Sequence, residues 1–334
     1  MSLMTSVSDV PEPVPLGTWP TPLEPAPRLA ESLGLGAEDL WIKRDDLAGL
    51  GGGGNKARKL EWLCGAAVAE GATHLVTTGA PQSNHARLTA AAGARLGLET
   101  VLVLAGTLDA EVRGNLTLDA LFGATCVWAG TTDGATLAAA AEDVAARLRA
   151  DGARPALLPF GGSSALGALG YAACGQELLA QAPSLDTVVV AMGSGGTMAG
   201  LVHALGPQRV LGVHCGAVAD PVGAVATLVS DLSGAPLRPD ALRLRLDQVG
   251  EGYGALTDPV MAALNRTART EGIVLDPVYT GRAMAGLVAA VADGEIVPGR
   301  RTVFLHTGGL PGLFGHTGAL TATAADLATR TRML

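Results

Sequence analysis

Short apolar strands that alternate with alanine-rich helices constrain this 334-residue chain more than any other feature. The alternation runs Thr73–Thr78 then Ala86–Leu96, Thr100–Leu104 then a helix from about Asn115, and Cys126–Trp128 then Leu137–Arg149. It continues as Ala156–Phe160 then Leu166–Ala182, Thr187–Met192 then Met198–Leu205, and a last strand at Arg209–His214. Short apolar runs bounded by turn residues read as buried strands, and the longer alanine-rich runs read as helices. Such alternation predicts an α/β fold of parallel sheets covered on both faces, in which ligands bind beyond the carboxyl ends of the strands. The loops that follow strands are therefore where chemistry is expected. Composition alone marks no domain boundary.

Composition narrows the partners. Hydrophobic residues are 48% and charged residues 16%, the balance of a globular chain rather than a disordered one. The formal net charge is -8, with no basic block to oppose it, so a nucleic-acid footprint is absent and a small molecule is the expected partner. Cys64, Cys126, Cys174 and Cys215 lie far apart, with no CxxC and no HExxH, so they read as free thiols and no metal site is expected. Met1–Pro15 has neither a cationic start nor an apolar run, which points to a cytoplasmic protein with no membrane segment. The proline-rich stretch Pro11–Pro27 reads as an extended arm lying over the body.

Three glycine-bearing segments carry the chemistry. In Gly51-Gly52-Gly53-Gly54-Asn55-Lys56 a glycine run ends at a lysine where a helix-forming sequence begins. Glycines let backbone approach a ligand, a helix start attracts anions, and a lysine desolvated there would have a depressed pKa and a free amine for Schiff-base chemistry. The alternative is a mobile loop followed by solvated basic residues. Gly49, Gly51 and Gly54 satisfy GxGxxG, but no strand leads directly into them, and Asn55 breaks a phosphate-binding Walker loop. The second segment, Gly79-Ala80-Pro81-Gln82-Ser83-Asn84-His85, follows a strand and heads a helix, so Ser83 with its neighbouring N–H groups could hold a carboxylate while Asn84 donates to a phenolate-like oxygen. An ordinary N-cap is the alternative. The third, Met192-Gly193-Ser194-Gly195-Gly196-Thr197, has free N–H groups and two hydroxyls suited to one terminal phosphate, or else forms only a tight turn. Gly161-Gly162-Ser163-Ser164-Ala165 misses the GxSxG spacing, which disfavours a serine hydrolase.

Together with Ile42-Lys43-Arg44-Asp45-Asp46, Gly167-Ala168-Leu169-Gly170-Tyr171 and Leu275-Asp276-Pro277-Val278-Tyr279-Thr280-Gly281, these segments resemble fold type II (tryptophan-synthase-β-like) enzymes dependent on pyridoxal 5′-phosphate. The resemblance spans about Gly17 to Gly315 and is to the D-cysteine desulfhydrase and 1-aminocyclopropane-1-carboxylate (ACC) deaminase family. It implies a two-lobed homodimer, with residues 1–57 and 169–334 forming the larger cofactor-binding domain and 58–168 a smaller inserted α/β domain. It also implies that Lys56 holds the cofactor as a Schiff base, that Lys59 with Ser194, Gly195, Gly196 and Thr197 holds the phosphate, and that Asn84 touches the ring hydroxyl. Ser83, Asn84, His85, Tyr279 and Thr280 would face the substrate, Tyr253 and Tyr279 would line the reacting centre, and Thr307 would lie beside the cofactor. Thr280 and Thr307, with His85, resemble the desulfhydrase side, because ACC deaminases typically carry Glu and Leu at the two threonine positions. A neutral hydroxyl near a pyridine nitrogen would not keep it protonated as a carboxylate does. The expected reaction is α,β-elimination on a small sulfur amino acid, D-cysteine foremost, giving pyruvate, ammonia and hydrogen sulfide. The freed Lys56 amine or a tyrosine-assisted relay would take the Cα proton. ACC deamination and sulfite release from L-cysteate are the neighbouring alternatives, and a non-catalytic binder or a nicotinamide-dependent dehydrogenase the more distant ones. Ser164 stands where the family commonly has Asn, and Leu50-Gly51-Gly52, Ala86 and Leu88 also depart from its pattern.

Overall fold

The computed structural model describes residues 10–108 and 112–332; residues 1–9 of the stretch searched for a leader lie outside them. The chain runs β1 (Leu23–Pro25), α1 (Pro27–Ser32), β2 (Leu40–Lys43), α2 (Lys56–Ala69), β3 (His74–Gly79), α3 (Asn84–Leu96), β4 (Glu99–Leu104), α4 (Asn115–Leu121), β5 (Thr125–Trp128), α5 (Gly134–Ala150) and β6 (Pro155–Leu157). It continues through α6 (Ala165–Gln181), β7 (Leu185–Met192), α7 (Gly196–Leu205), β8 (Val210–His214), α8 (Pro221–Ser233), β9 (Arg243–Arg245), α9 (Asp258–Glu271), α10 (Thr280–Ala292), β10 (Arg301–Leu305), α11 (Leu310–Gly315) and α12 (Thr317–Arg330).

Two sheets result. One has the order β1-β2-β10-β7-β8-β9 and the other β5-β4-β3-β6. Every pairing between these strands is parallel except β1 with β2 at the edge of the larger sheet. The expected parallel α/β architecture in two lobes is present. Strand β7 shows why. Its alternate residues point to opposite faces, and both faces are apolar. Val189 and Ala191 enter one core with Ile42, Phe304 and Met284, while Val188, Val190 and Met192 enter the other with Met198, Leu201 and Tyr171. Each fully buried valine or leucine there contributes roughly 1.5–3 kcal/mol of transfer free energy.

The predicted ends differ from the observed ones for physical reasons. The strand expected to reach Phe160 stops at Leu157, because Pro159 lacks a donor and Gly161 and Gly162 take φ values of 62° and 64°, which turn the chain. Helix α5 starts at Gly134 rather than Leu137, since the Asp133 carboxylate accepts from the Thr136 N–H at 2.8 Å. The proline-rich arm is extended, and Glu61 of α2 ties it down by accepting from the N–H groups of Leu16 and Gly17 and from the Trp19 indole.

Helices α2 and α6 join the lobes, and the expected divisions at 57/58 and 168/169 fall inside them. Close backbone approach makes this joint. A Cβ on Gly170 would lie 2.2 Å from the Arg58 carbonyl oxygen, and one on Gly200 of α7 would lie 2.3 Å from that of Ala168. A buried charge cluster completes it. Arg58 donates to Asp45 at 2.9 Å through both Nε and Nη2 and to Glu177 at 2.9 Å, Tyr171 donates to Asp45, and Lys43 pairs with Glu177. Among the described residues no helix is long and apolar enough to cross a membrane, and no group of side chains has the makings of a metal site.

Candidate active site

Lys56 is the first residue of α2, and everything ahead of it is arranged to hold its start. Gly53 and Gly54 sit at φ 75° and 127°, and a Cβ on Gly53 would lie 1.8 Å from the Asp46 carbonyl oxygen. Only glycine meets both demands. The Asn55 N–H donates to the Thr307 carbonyl at 3.0 Å and its side-chain amide to Thr197 Oγ1 at 2.9 Å, which brings the lysine loop against the end of β10 and the start of α7. Fully buried Arg87 donates to the Gly51 and Gly53 carbonyls from the opposite side.

Lys56 is half-buried, at the wall of the site. Burial draws its pKa from the ordinary 10.5 down to about 8, and Lys59 beside it is drawn well below its ordinary value by burial and by Lys56. Taking an ammonium out of water without a carboxylate partner favours the neutral amine, which is the nucleophilic form.

The loop Gly193–Thr197 forms a cup of donors between β7 and α7. Gly195 turns it at φ 95° and, as the N-cap, offers no side chain to the helix, which leaves first-turn N–H groups for other acceptors. Ser163 closes the cup from the loop after β6. Its hydroxyl lies 2.7 Å from Ser194 Oγ and accepts from the Gly196 N–H at 3.0 Å and the Lys59 amine at 3.1 Å. A Cβ on Gly196 would lie 2.7 Å from that oxygen. Ser163 was met in sequence only as part of a failed hydrolase motif. Its position after a strand and before a helix, shared with the other two segments, was the signal that could have singled it out.

The third wall is the head of α3. Ser83 caps that helix by accepting from the Ala86 N–H at 3.1 Å, and its hydroxyl also borders the cavity. Asn84 is oriented from behind. Fully buried Asn115 donates to Asn84 Oδ1 at 3.0 Å and to the Gln82 carbonyl at 2.9 Å, while its own oxygen accepts from Arg87 Nε at 2.9 Å. With its oxygen occupied, Asn84 presents its NH2 to the cavity. Asn115 has no motif in sequence, and the expectation for it went no further than a helix start. His85 is buried with Nε2 3.0 Å from Thr77 Oγ1, and burial followed by the Lys56 and Lys59 charges holds its pKa well below 6.5, so it is neutral.

Tyr253 and Tyr279 meet at their hydroxyls, 2.5 Å apart, with the rings at 71° to each other. Burial pushes the Tyr253 phenol up to about 12 and that of Tyr279 higher than usual as well, so both hold their protons at neutral pH. Two cavities adjoin here and share Lys56 and Tyr279. One is lined by Asn55, Asn84, Gly195, Thr197 and Thr307; the other, of about 270 Å³, by Ser83, His85, Ser194, Phe160 and Tyr253. Lys59 and Gly196 back the cup through Ser163. Thr280 stands apart. It is buried, and its hydroxyl donates to Asp276 Oδ1 at 2.7 Å and accepts from the Asp276 N–H at 2.8 Å, so it lines neither cavity. An amine on the shared wall of the two cavities, a cup of anion donors and an oriented amide suit a small aldehyde that carries a phosphate and a phenolic oxygen.

Comparison with known proteins leads to the same chemistry. Residues 14–308 match the family model described as "Pyridoxal-phosphate dependent enzyme". A protein of Pyrococcus horikoshii named "Putative 1-aminocyclopropane-1-carboxylate deaminase" is 38% identical over 312 residues, covering 90% of this chain and 93% of its own. One of Pyrococcus furiosus with the same name is 37% identical over 313 residues, with the same coverage. A crystal structure described as an ACC deaminase homologue superposes with a TM-score of 0.86 at 36% identity, covering 94% of this chain and 97% of the other. The processed form of threonine deaminase isoform 2 from Solanum lycopersicum shares the fold, with a TM-score of 0.60 at 19% identity over 86% of this chain and 83% of its own.

Proposed function

The chain belongs to the pyridoxal-phosphate-dependent enzymes, and from that premise we propose that it is a lyase acting on a small sulfur amino acid, D-cysteine foremost. Water and D-cysteine would give pyruvate, ammonia and hydrogen sulfide. The fit of the site to the cofactor rests on the chain's own groups: the Lys56 amine for the aldehyde, the Gly193–Thr197 cup with Ser163 and Lys59 for the phosphate, and the Asn84 amide for the ring oxygen. When bound, the cofactor supplies an electron sink that allows bonds at the substrate α-carbon to break.

The residues then divide the remaining work. Ser83 and the N–H groups at the head of α3 hold the substrate carboxylate, which sets the bond that is to break. Lys56, neutral in an appreciable fraction near pH 8, accepts the Cα proton. The Tyr253–Tyr279 pair, protonated at that pH, delivers a proton to the departing sulfur. His85 stays neutral and adds no charge to the substrate cavity.

One observation carries elimination over ring opening. Among the described residues, no carboxylate lines the cavity that holds Lys56, Asn84 and Thr307. Asp276, behind it, spends its oxygens on the N–H groups of Val278, Tyr279 and Thr280 and on the Thr280 hydroxyl. A neutral wall does not keep a pyridine nitrogen protonated, so electron withdrawal suffices to expel a good leaving group rather than to open an unactivated ring. The names of the Pyrococcus relatives favour a second reading, ACC to 2-oxobutyrate and ammonia. The purified holoenzyme is offered D-cysteine, L-cysteine, L-cysteate and ACC, and pyruvate, sulfide, sulfite and 2-oxobutyrate are measured. Sulfide and equimolar pyruvate from D-cysteine are expected. Turnover of ACC to 2-oxobutyrate with no sulfide from either cysteine overturns the proposal in favour of the second reading. Lys56→Ala is the control and loses both the visible cofactor band and turnover.

A further inference from the structure

Arg282, in the first turn of α10, is among the largest fully buried side chains of the protein. Among the described residues it forms no ion pair. Instead its guanidinium donates to three backbone carbonyls: Cys215 at 2.7 Å, Gly252 at 2.7 Å and Ala255 at 2.8 Å. The last two flank Tyr253. That loop contains Gly250, Gly252 and Gly254, with Gly250 at φ 65° and Gly252 at φ 156°, so its own backbone is costly to order. Arg282 thus ties the Tyr253 loop both to the end of β8 and to the helix whose N-cap is Tyr279. The hydroxyls of the two tyrosines meet at the far side of this clasp.

We infer that Arg282 is a positioning residue for the proton-handling tyrosines, holding Tyr253 against Tyr279 and placing an unneutralised positive charge behind the pair. The inference rests on the proposed role of Tyr253 in moving a proton. A buried cation stabilises a nearby phenolate, so it lowers the pH at which the pair gives up a proton, against the burial that raises it. The other ionisable groups around the pair are Asp276 beside Tyr279, Cys215 and His214 at the end of β8, Lys56 and His85 across the cavity, and His316, which contacts the Gly254 carbonyl. Asp276 opposes the effect and is unchanged in the test. Arg282 is suited to the clasp because one planar fork reaches three acceptors at once; a lysine keeps the charge but not that geometry.

The test compares Arg282→Met, which removes charge and clasp, with Arg282→Lys, which removes the clasp alone. Pyruvate release from D-cysteine is followed across pH, or 2-oxobutyrate release from ACC if that is the substrate turned over. Arg282→Met is expected to keep its visible cofactor band within about twofold, to lose about a hundredfold in kcat, and to shift the tyrosine limb of the pH profile upward. The shift is upward whether the pair acts as acid or base. Arg282→Lys is expected to return the limb to its original pH while kcat stays lowered, because the charge is kept and the clasp is not. A wild-type profile and kcat in Arg282→Met overturns the inference. Should that variant yield no folded holoenzyme, Arg282→Lys decides: an unmoved limb with a lowered kcat and an intact cofactor band supports the inference, and a displaced limb or wild-type kinetics overturns it. Tyr253→Phe separates the two levels of argument. Full activity in Tyr253→Phe removes the tyrosine's role and this inference with it. Loss of turnover with an unperturbed Arg282→Met removes this inference alone.

Discussion

A primary amine becomes nucleophilic near neutral pH when burial disfavours its charged form and no carboxylate restores it, and both hold for Lys56. Because burial lowers its pKa to about 8, the apoprotein's reaction with pyridoxal phosphate should accelerate as pH rises and level off above that value. The sign follows from the chemistry, since only the neutral amine adds to an aldehyde. Stopped-flow absorbance of apoprotein mixed with cofactor at pH 6 to 10 measures it; a midpoint near that of an ordinary lysine would show the amine to be hydrated. Lys56 was legible because a glycine run before a helix start announces its surroundings locally. Asn115 and Ser163 were not. Each acts on a cofactor-facing group that is 31 residues away along the chain, Asn84 in one case and Ser194 in the other. Thr280 shows the reverse. Its motif placed it beside the substrate, yet Asp276, only four residues back, takes up its hydroxyl.

Among the elements, the joint between α2 and α6 matters most for the site, because α2 begins at Lys56. Arg58 lies two residues on and is shared by Asp45 and Glu177. Burial alone would raise the Asp45 pKa, but the Arg58 charge and its hydrogen bonds hold it below the ordinary carboxylate value. Arg58→Met removes one partner from a buried cluster and leaves two carboxylates facing each other, a loss of about 3 to 5 kcal/mol. Urea denaturation of the apoprotein measures this, and a loss below 1 kcal/mol would mean that water reaches the cluster. Element positions were the most readable part of the sequence, because strand and helix periods are local. Their ends were less so where a cap or glycine turn decided them, as at Asp133 and at Gly161-Gly162. The antiparallel pairing of β1 with β2 across α1 and the placing of β10 between β2 and β7 escaped, since pairing between strands that are not neighbours in the sequence leaves no period in the chain.

For the molecule as a whole, cofactor binding and folding are linked. The groups that surround the cofactor space come from both lobes, so a ligand there stabilises the assembled form and not the unfolded chain. At a free cofactor concentration a hundred times Kd the gain is about 2.7 kcal/mol, which should appear as a thermal midpoint that rises with added pyridoxal phosphate. Calorimetry of the apoprotein over a cofactor titration tests this, and Lys56→Ala should show a much smaller rise. The sequence by itself determined the α/β class, the three glycine-bearing segments and the lysine, because each follows from short-range rules of periodicity, backbone freedom and helix ends. Only the tertiary structure decided which side chains aim those segments: Asn115 behind Asn84, Ser163 over the cup, Arg282 around the Tyr253 loop, and Asp276 on Thr280. Such contacts depend on which distant surfaces the packed lobes bring within 3 Å, a property of the whole core rather than of any stretch of chain.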